Sequence, residues 1–157
     1  AYLAFARGDG AETAQPTNLA ELLVDVVARF RREGADIALD IGNLPGRIPL
    51  KPIALGRCLG NLIANAVRYG RHISVSAAHI AGFIQIAVDD DGPGIPAGKR
   101  EEAFRAFHRL EPSRNPKTGG IGLGLTIARD LVRGMGGDIA LDDSPLGGLR
   151  ATLRIPV

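Results

Sequence analysis

The hydrophobic pattern of the N-terminal part predicts one amphipathic helix followed by two strands. Apolar side chains recur every three or four positions, as on the buried face of a helix: Leu19, Leu22, Leu23, Val26, Val27 and Phe30. Residues 16–18, Pro-Thr-Asn, are typical helix start signals, and Gly34 ends the pattern. The alternation from Asp36 to Ile41 predicts a half-buried strand, and a brief second strand is expected from Arg47 to Leu50.

A longer helix is predicted from about Pro52 to Tyr69, and a hairpin follows it. The buried face of this helix has the i, i+3, i+4, i+7 spacing and consists of Leu59, Leu62, Ile63 and Ala66. Two alternating runs, Ile73–Ile80 and Phe83–Asp90, are separated only by the turn residues Ala81-Gly82. We therefore expect these two runs to pair as antiparallel strands.

The C-terminal part predicts a long loop, a helix and two strands. Residues 91–120 are rich in Gly, Pro and charge, apart from a short helical stretch around Lys99 to Phe107. Loops of this length are usually functional. A helix is expected from Leu123 to Met135, and the runs DIALDD and LRATLRIPV predict the last two strands. Strands from both halves with helices between them predict a two-layer α/β sandwich, a mixed sheet with helices on one face.

Composition narrows the class of protein without indicating an activity. The 157 residues, 45% hydrophobic and 23% charged, are typical of one soluble globular domain, and no signal peptide or membrane span is apparent. The 19 basic residues nearly balance the 17 acidic ones, and the aromatic fraction is only 4% without Trp. We expect neither a nucleic-acid partner nor direct membrane contact. The single cysteine, Cys58, excludes an internal disulfide and is compatible with a reducing compartment.

The first 15 residues differ in character from the rest. AYLAFARGDGAETAQ begins with apolar spacing and continues into Gly, Asp and polar residues. This pattern predicts the end of an upstream helix and a linker, so the globular domain is expected to span residues 16–157 of a longer protein.

Two asparagines lie one turn apart on the predicted second helix. Asn61 and Asn65 fall on the side opposite the apolar stripe, and Arg68 and Tyr69 follow one turn later. Asparagine is a poor helix former, so two asparagines in one predicted helix indicate a role other than helix formation. An amide oxygen can ligate a hard cation such as Mg²⁺. The alternative is a solvated polar face without function.

Two glycine clusters predict close approach of a ligand to the backbone. In VDDDGPGIP a strand ends in carboxylates, and Asp90 could accept a hydrogen bond from an exocyclic amine. Gly92 and Gly94 would let a ligand approach the backbone, and Ile95 would supply an apolar wall. An ordinary acidic turn is the alternative. GGIGLGL, residues 119–125, precedes a predicted helix and could present N–H groups to an anion. It lacks the Gly-Lys-Ser/Thr of a Walker A loop and follows no strand, as a Rossmann loop should.

The stretch AFRAFHRLEPSR, residues 103–114, lies between the glycine clusters. Phe104 and Phe107 are expected to anchor it by packing, whereas Arg109 and Arg114 carry guanidinium groups suited to phosphate. Plain surface charge is the alternative for both arginines. The histidines of the chain are not at metal-ligand spacing and receive no role.

These stretches, in this order, resemble the catalytic ATP-binding domain of bacterial sensor histidine kinases, most closely the osmosensor class. NLIANAVRYG, DDDGPGIP, AFRAFHRLEPSR and GGIGLGL are similar to the N, G1, F and G2 boxes of that family, and GGLRATLRIPV resembles its closing strand. The resemblance covers nearly all of residues 16–157 and implies the Bergerat, or GHKL, ATP-binding fold. AYLAFARG resembles the end of the dimerisation domain that precedes it.

The resemblance also implies a role for each matched residue. Asn65 would ligate Mg²⁺ between the ATP phosphates, and Asn61 would support this geometry. Asp90 would accept the adenine amino group. The remaining nucleotide contacts would come from Arg68, Tyr69, Gly92, Gly94, Ile95, Gly120, Gly122, Leu123, Gly124 and Leu125. Arg109 and Arg114 would neutralise charge on the γ-phosphate. Ile121 departs from the family, in which Thr or Ser is common, and removes a hydroxyl contact.

The activity implied is transfer of the ATP γ-phosphoryl group to a histidine of the dimerisation domain and then to an aspartate of a response regulator. The full-length protein would be a homodimer through that domain, with this part on the cytosolic side of an inner-membrane sensor. No acceptor histidine segment is present, so the chain is expected to bind Mg·ATP without phosphorylating itself. The alternatives are a GHKL ATPase, disfavoured because no acid occurs from Ala54 to Tyr69, an anti-sigma-factor serine kinase, and a degenerate scaffold.

Overall fold

A five-stranded mixed sheet forms one layer of the fold in the computed structural model, which describes residues 12–105 and 121–157, with backbone only for 121–123. The strands are β1 (Gln15–Thr17), β2 (Asp36–Ile41), β3 (Ile48–Leu50), β4 (His72–Ile80), β5 (Phe83–Asp90), β6 (Asp138–Asp143) and β7 (Leu149–Pro156). The sheet order is β2-β4-β5-β7-β6; β2 and β4 are parallel and the other pairs antiparallel. β1 and β3 form a separate antiparallel pair.

The helices pack on one face of this sheet. They are α1 (Leu19–Arg32), α2 (Pro52–Tyr69), the short α3 (Arg100–Ala103) and α4 (Ile121–Arg133), with a 3-10 turn at Ala97–Lys99. Alternate residues of each strand point to the helices because side chains of a strand alternate between faces. The core thus joins sheet residues such as Val75, Ile86 and Leu153 to helix residues such as Leu59 and Val132, all fully buried. The predicted two-layer α/β sandwich is confirmed.

The hairpin and the long helix match their sequence predictions closely. β4 and β5 pair from Ile73↔Asp90 to Ile80↔Phe83. The turn residues Ala81 and Gly82 have φ angles of 51° and 83°, the left-handed pair that a two-residue hairpin turn requires. α2 has the predicted bounds.

Other element boundaries differ from their predictions. α4 begins at Ile121, two residues earlier than expected, and ends at Arg133, so Gly122 lies inside its first turn rather than before the helix. The strand β1 was not predicted, because Pro16 and Thr17 resemble helix start signals; the helix start is instead capped by Asn18, whose Oδ1 accepts from the Glu21 N–H at 3.1 Å. Within the described residues, no helix is both long and apolar enough to span a membrane.

The single cysteine lies in the core between α2 and α4. The Cys58 side chain is fully buried, and its Sγ lies 3.6 Å from the backbone oxygen of Ala128. Burial raises the pKa of the Cys58 thiol to about 12, because the charged thiolate is disfavoured away from water.

The N-terminal segment bonds to the first turn of α2. Two backbone N–H groups donate to the Glu12 carboxylate, Ile53 at 2.8 Å and Ala54 at 3.0 Å. Lys51, at the N-cap position, makes no side-chain cap bond. Glu12 therefore replaces the missing local cap and also places a negative charge at the positive end of the helix dipole.

Removing this carboxylate is expected to destabilise the fold. We expect Glu12→Ala to lower the free energy of unfolding by about 1 kcal/mol, because two N–H groups at the helix start lose their acceptor. Urea denaturation measures the change, and Glu33→Ala, at an exposed position after α1, is the matched control. Equal midpoints for the two variants would contradict the capping role.

Candidate functional site

A buried amide oxygen without a partner marks the middle of α2. Asn65 is half-buried, and its Oδ1 is inaccessible to solvent yet accepts no hydrogen bond within the part of the chain that the structure describes. A buried acceptor left unpaired costs about 1–3 kcal/mol, so a ligand for this oxygen is expected. Asn61 is half-buried one turn earlier, Tyr69 is half-buried one turn later, and Arg68 is exposed.

The Asp90 carboxylate is held in a backbone cradle at the end of β5. The residue is only 3% exposed, and its Oδ1 accepts from the N–H groups of Gly92 at 2.9 Å and Leu149 at 3.2 Å. No donor to Oδ2 occurs among the described residues, so this oxygen is left for an external donor. Burial raises the pKa of Asp90, the two backbone N–H groups oppose that rise, and the adjacent charges of Asp91 and Asp89 add to it.

Glycines allow three segments to meet around Asp90. A Cβ at Gly92 would lie 2.7 Å from the backbone oxygen of Tyr69, the last residue of α2. A Cβ at Gly70 would lie 2.8 Å from Cβ of Asp90, and one at Gly148 would overlap the Asp90 carboxylate. The end of α2, the end of β5 and the start of β7 are thereby in direct contact. Gly148 was not singled out from the sequence; its only signal there is the Gly-Gly pair before the last strand.

The two aspartates beside Asp90 serve the surrounding structure. Asp91 Oδ1 accepts from the N–H groups of His72 at 3.1 Å and Arg71 at 2.7 Å, and these bonds hold the pKa of Asp91 below its ordinary value. Asp89 is buried and forms a two-bond ion pair with Arg150, at 2.8 and 3.0 Å. The pair joins β5 to β7 beside Leu149, the donor to Asp90. Sequence reasoning did not anticipate it, because it depends on strand register.

The remaining predicted contacts fall into three groups. Gly94 has a φ of +72°, which favours glycine, and Ile95 is half-buried against the core. In α4, Leu125 belongs to the core and is 2% exposed. A Cβ added at Gly124 would meet no atom within 4 Å. The backbone of Gly122 and Leu123 is helical. Gly120, Arg109 and Arg114 lie outside the described residues.

The donor set fits a weakly held Mg²⁺. Within residues 12–105 and 121–157, no group of three or more His, Cys, Asp or Glu could hold a metal ion. Mg²⁺ is often bound by one or two protein oxygens together with water and substrate phosphates. The orphaned Asn65 Oδ1 supplies one such oxygen, so the residues present are compatible with Mg²⁺ carried in by a polyphosphate.

The sequence and the fold match one protein family. Residues 50–157 match the family described as histidine kinase-, DNA gyrase B- and HSP90-like ATPase. The chain belongs to this family. The sensor histidine kinase CpxA of Escherichia coli is 38% identical over 149 residues, which cover 93% of this chain and 32% of CpxA.

Solved structures of histidine kinases share the fold of this family member. The ATP-binding domain of PrrB from Mycobacterium tuberculosis is 30% identical with a TM-score of 0.73, covering 92% of this chain and 98% of PrrB. Full-length ShkA in complex with AMPPNP is 28% identical with a TM-score of 0.78, covering 99% of this chain and 34% of ShkA. The chain spans between 24% and 32% of the length of the first two curated relatives that it matches.

Proposed function

We propose that this chain is the ATP-binding catalytic domain of a sensor histidine kinase, which presents the γ-phosphoryl group of Mg·ATP to a histidine of a dimerisation domain. The proposal rests on two groups taken together. The Asn65 Oδ1 is buried and accepts no hydrogen bond from a described residue, and the Asp90 carboxylate is oriented by two backbone N–H groups. Asn65 lies one helical turn, about 6 Å, before Tyr69, which itself contacts the Asp90 turn through Gly92. One ligand with an adenine end and a phosphate end satisfies both groups.

The adenine end is assigned to Asp90. Because two backbone N–H groups donate to Oδ1 and no described residue donates to Oδ2, Oδ2 is available to accept a hydrogen bond from a ligand. The exocyclic amino group of adenine is such a donor, and guanine offers a carbonyl oxygen at the equivalent position. Selection of ATP over GTP follows, because the guanine carbonyl oxygen would face Oδ2 acceptor to acceptor, and the hydrogen bond to the base would be lost.

The phosphate end is assigned to Asn65 and the start of α4. Asn65 Oδ1 would hold Mg²⁺, which when bound neutralises phosphate charge. The first turn of α4 contains two glycines, and the backbone N–H groups of a helix N-terminus are suited to binding phosphate. Arg109 and Arg114 remain predicted contacts to the γ-phosphate. Phosphoryl transfer asks a protein mainly for positioning and electrostatic stabilisation, which this set of groups supplies.

A hydrolytic ATPase is the less favoured function. Activation of an attacking water needs a positioned general base. Between Ala54 and Tyr69, α2 contains no Asp or Glu. The acceptor of the phosphoryl group is therefore proposed to be a protein histidine, with a response regulator aspartate receiving it next. We propose that this domain of the full-length protein lies in the cytoplasm, where ATP and response regulators are found.

Nucleotide binding and phosphoryl transfer can be tested separately. We expect the chain to bind a fluorescent ATP analogue more tightly with Mg²⁺ than without it, and a matched GTP analogue more weakly. Incubation with γ-labelled ATP should leave no stable phosphohistidine on the chain and release little phosphate. Absence of nucleotide binding would refute the proposal, and rapid phosphate release would favour the ATPase instead.

A further inference from the structure

The guanidinium of Arg129 on α4 contacts three residues in two other parts of the fold, the α3 segment and the start of β6. Its Nη1 donates to Glu101 Oε1 of α3 at 2.9 Å, and its Nε lies 3.4 Å from Asp138 Oδ1 at the start of β6. Its Cζ lies 4.3 Å from the ring centroid of Phe104, a cation–π contact. The Arg129 side chain is only 16% exposed, but its carboxylate partners Glu101 and Asp138 are 74% and 54% exposed. The contact with Phe104, a residue only 7% exposed, is therefore the one most shielded from solvent.

Phe104 is held by α4 at two points. Its ring, in a residue only 7% exposed, lies under Arg129, and its backbone oxygen accepts a short hydrogen bond from Thr126 Oγ1. Thr126 and Arg129 are three residues apart and thus share one face of the helix. The ring and the backbone of Phe104 are therefore both fixed relative to α4.

The segment that ends at Phe104 includes a predicted nucleotide contact. Arg100 donates through Nε to the backbone oxygen of Ile95 at 3.0 Å and pairs with Asp143 at 2.6 Å. The segment from Ile95 to Phe104 is thereby joined to β6 as well as to α4. Residues 106–120, which carry Arg109 and Arg114, connect this segment to the start of α4. The contacts of Arg129 therefore join the described segment before that connection to the helix that follows it.

We propose that Arg129 is a positioning residue for the triphosphate: by holding Phe104 against α4, it sets the start of α4 relative to the Ile95–Phe104 segment. This inference rests on the proposed function. It concerns the phosphate end of the ligand, because the Asp90 cradle is built from Gly92 and Leu149 and makes no contact that depends on Arg129.

The test compares two ligands, Mg·ATP and adenosine, by NMR titration. The amide signals of Gly92 and Leu149 report adenine binding even when it is weak. We expect Arg129→Ala to weaken Mg·ATP about fivefold to tenfold and to leave adenosine affinity within about twofold. Arg129→Lys, which retains the charge but not the planar fork, should recover part of the loss.

Two further variants separate positioning from folding. Arg133→Ala is the matched control, because Arg133 bonds the same Asp138 carboxylate at 3.2 and 3.3 Å from one turn further along α4. Phe104→Leu keeps an apolar side chain and removes the aromatic face, so about a threefold loss of Mg·ATP affinity is expected. If Arg129→Ala does not fold, Phe104→Leu and Arg129→Lys decide the outcome.

The outcomes distinguish this inference from the proposed function. A wild-type chain that binds neither ligand refutes the proposed function itself. A wild-type chain that binds both, with Arg129 and Phe104 variants retaining full Mg·ATP affinity, overturns the role of Arg129. Equal losses for Mg·ATP and adenosine would also overturn it, because a purely structural contact would affect both ends of the site.

Discussion

Asn65→Ala is expected to abolish the Mg²⁺-dependent part of ATP binding and to leave the nucleotide-free chain at least as stable as the wild type. The affinity for Mg²⁺ in the presence of ATP should fall on the order of 100-fold, because even indirect metal contacts contribute 10- to 100-fold. Stability should rise by about 1 kcal/mol, since the variant removes a buried acceptor that has no donor. Titration of Mg²⁺ into the chain with a fluorescent ATP analogue measures the first effect, and thermal unfolding measures the second.

The matched control for this variant is Asn43→Ala. Asn43 is exposed in the connection between β2 and β3, so the same chemical change there should alter neither Mg²⁺ dependence nor stability appreciably. Wild-type Mg²⁺ dependence in Asn65→Ala would remove the metal assignment. A large loss of stability would show that the amide has a structural partner.

Asp90→Asn is expected to weaken all adenine nucleotides about 10- to 100-fold while stabilising the nucleotide-free chain. A hydrogen bond to a charged group contributes about 1.5–3 kcal/mol, which sets the binding loss. Asparagine can still accept from the Gly92 and Leu149 N–H groups through Oδ1, so the cradle is retained. The variant removes a negative charge that burial disfavours, and the free energy of unfolding at pH 7 should therefore rise.

The pH dependence of this effect has a definite sign. The folded pKa of Asp90 is raised from 3.8, mainly by burial, so the folded chain binds a proton that the unfolded chain releases. The contribution of Asp90 to stability therefore decreases as pH rises from below 3.8 through the folded pKa and is constant above it. The stability difference between Asp90→Asn and wild type should grow over that interval.

Asp91→Asn provides the control of opposite sign. The pKa of Asp91 is lowered by the N–H groups of His72 and Arg71, so its ionised form favours folding above pH 3.8, and this contribution is lost as pH falls through the folded pKa. Asp91→Asn should therefore lower stability at pH 7 or leave it unchanged. Increased stability in both variants, or in neither, would contradict the distinct roles assigned to the two neighbouring carboxylates.

Local patterns were sufficient to predict most of the fold. α2 and the β4–β5 hairpin are determined by apolar period and turn chemistry, which act between residues close in sequence. Asn65 and Asp90 could likewise be selected as candidates from the sequence, whereas their roles toward Mg²⁺ and adenine are implied by the resemblance and stay predictions. The start of α4 was misplaced because the glycine-rich run up to Gly122 is typical of a loop, although the backbone is helical from Ile121 onward.

Features made by distant contacts could not be predicted in this way. The strand β1 exists because it pairs with β3, more than 30 residues away by the register Gln15↔Leu50. The placement of Leu149 beside Asp90, the ion pair between Asp89 and Arg150, and the Glu12 cap of α2 likewise join residues that no local pattern relates. Each depends on which strands and helices become neighbours after folding.

Burial of the only thiol makes the native chain unreactive toward maleimides and similar reagents, because they attack the thiolate and Cys58 is both shielded and protonated. A cysteine introduced at an exposed position can therefore carry a fluorophore or spin label selectively, without prior removal of Cys58. Distances across the molecule can be measured on a protein whose core is unaltered.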